Sequence, residues 1–192
     1  DYLRTVGEAV HAVGGLFVLD CIASGAMWVD MAANEVDVLI SAPQKGWISS
    51  PCCALVMLSD RARIAIDTTT SSSFTLDLRK WLQIMETYEG GGHAYHSTMP
   101  TDALTRLRDA MLETQALGFE HLRAQQQDLG RRVRLMLLSK GFRSVAAEDF
   151  QAPGVVVSYT DDAGLHSSKS FLAQGLQTAA GVPLQCDEPA DF

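Results

Sequence analysis

The chain has little that would suit it to nucleic acid, to a bilayer or to an oxidising compartment. Its 15 Lys and Arg are outnumbered by 23 Asp and Glu, a formal net charge of -8, so it carries no basic stripe of the kind that tracks a phosphate backbone. That balance sets solubility and leaves the substrate open. No apolar stretch is long enough to span a bilayer, and the first residues show no basic segment followed by an apolar core. These absences predict a cytoplasmic protein that binds neither membrane nor nucleic acid. Cys21, Cys52, Cys53 and Cys186 have neither metal-ligand spacing nor a plausible disulfide framework. Adjacent Cys52 and Cys53 read most simply as buried thiols in a reducing compartment. His93 and His96 lack acidic or cysteine partners at ligand spacing, so no metal is expected.

What is present is an ordinary globular composition, 47% hydrophobic and 20% charged over 192 residues, enough for one core or for one core and a smaller second domain. The first part alternates helix and strand, as α/β architectures do. Helix 2–13 is followed by strand 16–19, a small-residue turn through Ala23-Ser24-Gly25, a helix or turn at 31–34, and strand 36–40. Strand 54–58 comes next, then a helix from about Arg61 capped by Ser59-Asp60. A polar loop at 68–73 leads to an amphipathic helix over 76–88, closed by Gly90-Gly91-Gly92. From 101 to about 139 nearly every window is helical, with an N-cap signal at Thr101-Asp102 and bends foreseen at Gly118 and Gly130. Strand 154–159, turn 160–164, helix 167–180 and strand 182–186 then describe a small α+β domain. No internal repeat is visible. Both ends read as cut: Asp1 opens a helix already under way, and the chain stops just after a strand entry.

The chemistry lies at two strand ends. Gly14-Gly15-Leu16-Phe17-Val18-Leu19 runs into Asp20, and Val36-Asp37-Val38-Leu39-Ile40 runs into Ser41-Ala42-Pro43-Gln44-Lys45. In an open parallel sheet, ligands bind where strands give out at their carboxyl ends. Most lysines are solvated surface charges, and an aspartate after a strand often caps the next helix. Here the small residues around Lys45 predict a loop that pins it, and pinning with partial burial turns a lysine into a nucleophile or base. An amine and a carboxylate delivered together are the two contacts that a pyridoxal phosphate ring needs, one for the Schiff base and one for the pyridinium nitrogen.

These residues resemble the core of the class V aminotransferases, in the fold type I group of pyridoxal-phosphate enzymes, nearest to the alanine–glyoxylate and serine–glyoxylate (serine–pyruvate) types. The resemblance rests on Val18-Leu19-Asp20-Cys21-Ile22-Ala23-Ser24, on Ser41-Ala42-Pro43-Gln44-Lys45, and on Tyr95-His96-Ser97-Thr98-Met99-Pro100, three motifs in family order. It implies a three-layer α/β sandwich, with residues 1–117 forming the carboxyl-terminal half of the cofactor-binding large domain and 118–192 part of a small α+β domain. By position it assigns Lys45 to the Schiff base, Asp20 to the pyridinium nitrogen, Ile22 to the ring face and Gln44 to a hydrogen bond near the cofactor. Tyr95 and Thr98 would hold the phosphate of the partner subunit in a homodimer with shared sites.

The resemblance also implies transfer of an amino group from a small amino acid to a 2-oxo acid. Gln44 stands where cysteine desulfurases and selenocysteine lyases typically place histidine, which favours the aminotransferase over those and over a kynureninase-like hydrolase. Two departures are clear. Pro51-Cys52-Cys53 replaces the family's Pro-Pro-Gly, and the family's phosphate-cup loop, ring-stacking aromatic and substrate-carboxylate arginine have no counterpart within these residues. A chain that folds and dimerises without activity is therefore the other alternative.

Overall fold

The computed structural model describes residues 2–181. The chain divides into two compact units, Asp1–Phe119 and Glu120–Phe192.

In the first unit, α1 (Tyr2–Ala12) places Leu3, Val6 and Val10 on one face, three or four residues apart as the helical repeat requires. That face packs against Phe17, Cys21, Val36 and Leu39, with Leu19, Val29 and Met31 around them. Phe17, Leu19 and Cys21 alternate along β1 (Val18–Asp20), so one face of that strand is committed to the core. The other face is open, and Val18 is 53% exposed. β2 (Val38–Ser41) lies parallel to β1, with Val18 opposite Val38, Leu19 opposite Leu39 and Asp20 opposite Ile40.

The third strand runs the other way. β3 (Leu55–Leu58) pairs antiparallel with β2 in the order β1-β2-β3. The connection over residues 42–54 contains no helix, and a parallel return needs a crossover that a helix usually supplies. The strands are also shorter than the apolar runs that announce them.

Ser59 accepts a hydrogen bond from the Ala62 N–H and caps α2 (Asp60–Thr68), as expected. Asp77 caps α3 (Leu78–Glu89) in the same way through the Arg79 and Lys80 N–H groups. α4 (Thr101–Leu117) begins after Pro100 with no side-chain cap, so Thr101 is its first residue and not its cap. Gly118, at φ 92°, ends α4 and separates it from α5 (Phe119–Ser139).

The second unit corrects three expectations. α5 runs unbroken through Gly130, where a Cβ would collide with the Pro153 carbonyl oxygen, so the glycine is a contact point. The strand expected at 154–159 is reduced to one antiparallel bridge between Ser144 and Ser158. Side chains of α5 hold this segment instead: Gln126 donates to Pro153 and buried Arg134 to Ala152, just before the expected strand, and Arg134 also donates to Val155 within it. The helix expected at 167–180 is two short pieces, α6 (Ala163–His166) and α7 (Lys169–Leu172). Asp162 starts the first early by accepting from the Gly164 and Leu165 N–H groups, and Ser168, at φ 62°, interrupts the run. The strand expected at 182–186 lies outside the described residues. Among the described residues no helix is long and apolar enough to cross a membrane.

Candidate active site

Because β1 and β2 are parallel and Asp20 faces Ile40 in register, both strands deliver their carboxyl ends to the same edge. The Cys21 N–H extends the ladder by donating to the Ile40 carbonyl at 2.8 Å. Asp20 stands exposed on the face away from the α1 core, and its Oδ1 accepts from the Ile22 N–H at 2.9 Å. Ile22 is half-buried. Three and four residues beyond β2, Gln44 and Lys45 are also exposed.

The lysine loop is anchored by its backbone. Ala42 is buried and Pro43 fully so. The Ser49 N–H donates to the Pro43 carbonyl at 3.0 Å and the Ile48 N–H to the Lys45 carbonyl at 3.1 Å, folding the loop back on itself. Ile48 sits at φ 52° and is 91% exposed, a costly conformation for a β-branched side chain. The expected burial of the Lys45 side chain is not met. The backbone is held, but the Lys45 side chain is exposed, and its amine makes no hydrogen bond or ion pair among the described residues. Ser49 Oγ in the same loop is buried without a hydrogen-bond partner.

Two contacts set the spacing between the aspartate-bearing and lysine-bearing loops, and neither was visible in the motifs. A Cβ on Gly46 would lie 2.4 Å from the Gly25 carbonyl oxygen, so the two backbones touch where only glycine fits. Just beyond, Trp47 lies against Trp28 with centroids 5.1 Å apart. Trp28 is fixed in turn by its edge-to-face contact with Phe119 and by donating its indole N–H to the Phe119 carbonyl at 3.0 Å. An open groove of about 430 Å³, where Trp47 meets Leu104, Leu107, Met111 and Phe119, flanks this cluster.

Tyr95 and Thr98 form a separate pair. The Tyr95 hydroxyl and Thr98 Oγ1 are 2.9 Å apart, and Tyr95 is 78% exposed. Between them, His96 is anchored by its Nε2 at 3.0 Å from the Phe74 carbonyl and by ring contacts with Phe74 and Trp81. Among the described residues no hydrogen bond or ion pair joins this pair to Asp20 or Lys45. The structure thus brings the strand ends that carry Asp20, Ile22, Gln44 and Lys45 to one edge and pairs Tyr95 with Thr98. No group of three or more His, Cys, Asp or Glu able to hold a metal occurs among the described residues.

No protein-family model matches the chain. The crystal structure of alanine–glyoxylate aminotransferase from Nostoc sp. superposes with a TM-score of 0.83 at 20% identity, over 98% of this chain and 50% of that one. The fold is that of the fold type I pyridoxal-phosphate transferases, with part of their large domain present. In sequence, the alanine–glyoxylate aminotransferase of Felis catus is 32% identical over 126 residues, 64% of this chain and 30% of that protein. A Synechococcus sp. (strain PCC 6716) protein named soluble hydrogenase, small subunit, is 28% identical over 155 residues, 80% of this chain and 39% of that one. The chain is thus similar to alanine–glyoxylate aminotransferases, in sequence over 64% of its length and in fold over 98%. It spans half or less of the length of each of these relatives.

Proposed function

We propose that the chain acts in pyridoxal-phosphate-dependent transamination, moving an amino group from a small amino acid of the alanine or serine type to a 2-oxo acid such as glyoxylate or pyruvate. The observation that carries this reading is the parallel register of Asp20 with Ile40, which supports the aspartate and the lysine loop serving one sheet edge. The donor set fits the cofactor: an exposed unpaired amine, an exposed carboxylate, and a buried Ser49 hydroxyl still lacking a partner. When bound, pyridoxal phosphate supplies an aldehyde for condensation with amines and an electron-poor ring that takes up the charge left when Cα loses a proton.

The rest of the work falls to this chain. Lys45, which has no ion pair among the described residues, would hold the cofactor through its amine and would carry the proton lost from the substrate Cα. Asp20 keeps the ring nitrogen protonated. Its single local hydrogen bond, from the Ile22 N–H, occupies Oδ1 and leaves Oδ2 for that task. Ile22 takes the ring face and Gln44 a hydrogen bond at the cofactor's edge. The glutamine also supports transamination over desulfurase chemistry. Tyr95 and Thr98, their hydroxyls already 2.9 Å apart, serve the phosphate of the partner subunit in a homodimer. The exposed side chains of Phe74, Leu76, Met85 and Tyr88 support a buried surface in that region of the chain.

The test is covalent. Reconstitution with pyridoxal phosphate followed by borohydride reduction should label Lys45 on peptide mapping, and Lys45→Ala should lose the label completely. Label on Lys80, Lys140 or Lys169 that survives in that variant overturns the assignment.

A further inference from the structure

Cys52 and Cys53 occupy the extended segment between the lysine loop and β3, at the edge where Leu55 opposes Ser41. Both are half-buried, whereas Cys21 is buried in the core. The expectation of two buried thiols is therefore only partly met, and a small reagent has access to the pair. Their Sγ atoms are 3.8 Å apart and not bonded.

Three considerations define what such a pair takes. A disulfide is disfavoured, because adjacent Cα atoms across a trans peptide are about 3.8 Å apart, below the roughly 4.4 Å lower limit of ordinary disulfides. The peptide here is trans. A closed zinc cage is disfavoured too, since it needs four protein ligands and no third His, Cys, Asp or Glu joins the pair among the described residues. The spacing nonetheless puts one shared soft centre within reach of both: sulfurs each about 2.3 Å from a common thiophilic atom can be no more than about 4.6 Å apart, and this pair, at 3.8 Å, is inside that limit. Burial, aided by the Cys52 neighbour, pushes the Cys53 thiol up to about 11. A partner that removes the thiol proton with its own leaving hydroxide therefore fits better than a bare cation that needs preformed thiolates.

We propose that Cys52 and Cys53 form a vicinal dithiol site for trivalent organoarsenicals of the type R–As(OH)2, bound by both sulfurs. Two S–H bonds and two As–OH bonds break, two As–S bonds form, and both thiol protons leave with the hydroxides as two waters. Arsenic stays trivalent and no oxidant is needed. The site depends on the Pro51-Cys52-Cys53 segment and is independent of the transamination reading.

The probe is phenylarsine oxide, one equivalent added to the folded, reduced chain. The expected product is a single adduct that survives excess 2-mercaptoethanol and is released by a dithiol such as 2,3-dimercaptopropanol. Trypsin should place it on the peptide Gly46 to Arg61, whose only cysteines are this pair. Cys52→Ser and Cys53→Ser should each lose the monothiol-resistant adduct, with circular dichroism reporting the fold. Should either variant unfold, peptide mapping of the unsubstituted chain decides alone. An adduct reversed by the monothiol, mapped to another peptide, or retained in folded Cys53→Ser overturns the proposal.

Discussion

At the amino end of the sheet, Asp37 is 2% exposed and fully engaged. Its Oδ2 accepts from the Phe17 N–H at 2.8 Å and lies 2.7 Å from His11 Nε2, while Oδ1 accepts from Ser59 Oγ at 3.0 Å. His11 Nδ1 stands 3.3 Å from Glu35 as well. This cluster ties α1, the entry to β1, the start of β2 and the exit of β3 into one knot. At the carboxyl end of the same strands, Asp20 is exposed with one local hydrogen bond and Lys45 with none among the described residues. Buried charge is tolerated only where hydrogen bonds replace water, so the first aspartate is spent on holding the fold. The second keeps its capacity for something outside the chain.

That contrast can be broken from either end. Asp37→Ala should cost about 3–5 kcal/mol of stability, the usual penalty for removing one member of a buried charged network, read as a lower urea midpoint. A loss below 1 kcal/mol would mean the knot carries no weight. Gly46→Ala forces a Cβ against the Gly25 carbonyl and should cost about 1–3 kcal/mol, as overpacking does. It should also weaken pyridoxal phosphate retention by moving the lysine loop from the aspartate loop. A variant with normal cofactor absorbance would show that the Gly25–Gly46 contact does not set the site.

Acid sharpens the comparison. Burial alone would raise the Asp37 carboxyl, but the hydrogen bonds from the Phe17 N–H, His11 and Ser59 outweigh it and hold the group below the ordinary carboxylate value. A depressed folded value gives stability that is present above the unfolded value of about 3.9 and lost as pH falls through the lower folded one. Between pH 6 and pH 3 the parent should therefore lose more stability than Asp37→Asn in paired urea titrations. Parallel pH profiles would sink that account. Asp20→Asn is the smallest structural change: its stability should stay within about 0.5 kcal/mol of the parent, as for other exposed positions, while turnover falls steeply. A large loss of stability would move Asp20 from the site to the scaffold.

The Asp37 knot also shows where sequence reading loses sight of a fold. Val36-Asp37-Val38 passes as part of an apolar strand, and one acid inside such a run is the only signal of a buried network. Its partners come from residues 11, 17 and 59, distant in sequence. The helix over 101–139 was legible because periodicity is local, and so was its break at Gly118. The role of Gly130 was not, since its reason is the Pro153 carbonyl across a gap of 23 residues. The strand at 154–159 meets the same kind of obstacle, its Val155 carbonyl accepting from the Arg134 side chain of α5.

Alternation, apolar runs and caps are properties of neighbours a few residues apart, so the chain alone determined the helices of the first unit, the Ser59 cap, and the two strands that end near Asp20 and Lys45. Tertiary structure decided what depends on residues meeting across the fold. It turned β3 antiparallel for want of a crossover helix, and it pressed Gly25 against Gly46 to fix the distance between the two loops. It buried Asp37 among donors from three elements, and it left Lys45 exposed above an anchored backbone. Burial and backbone approach are set by packing, and packing is settled only when distant segments compete for the same space.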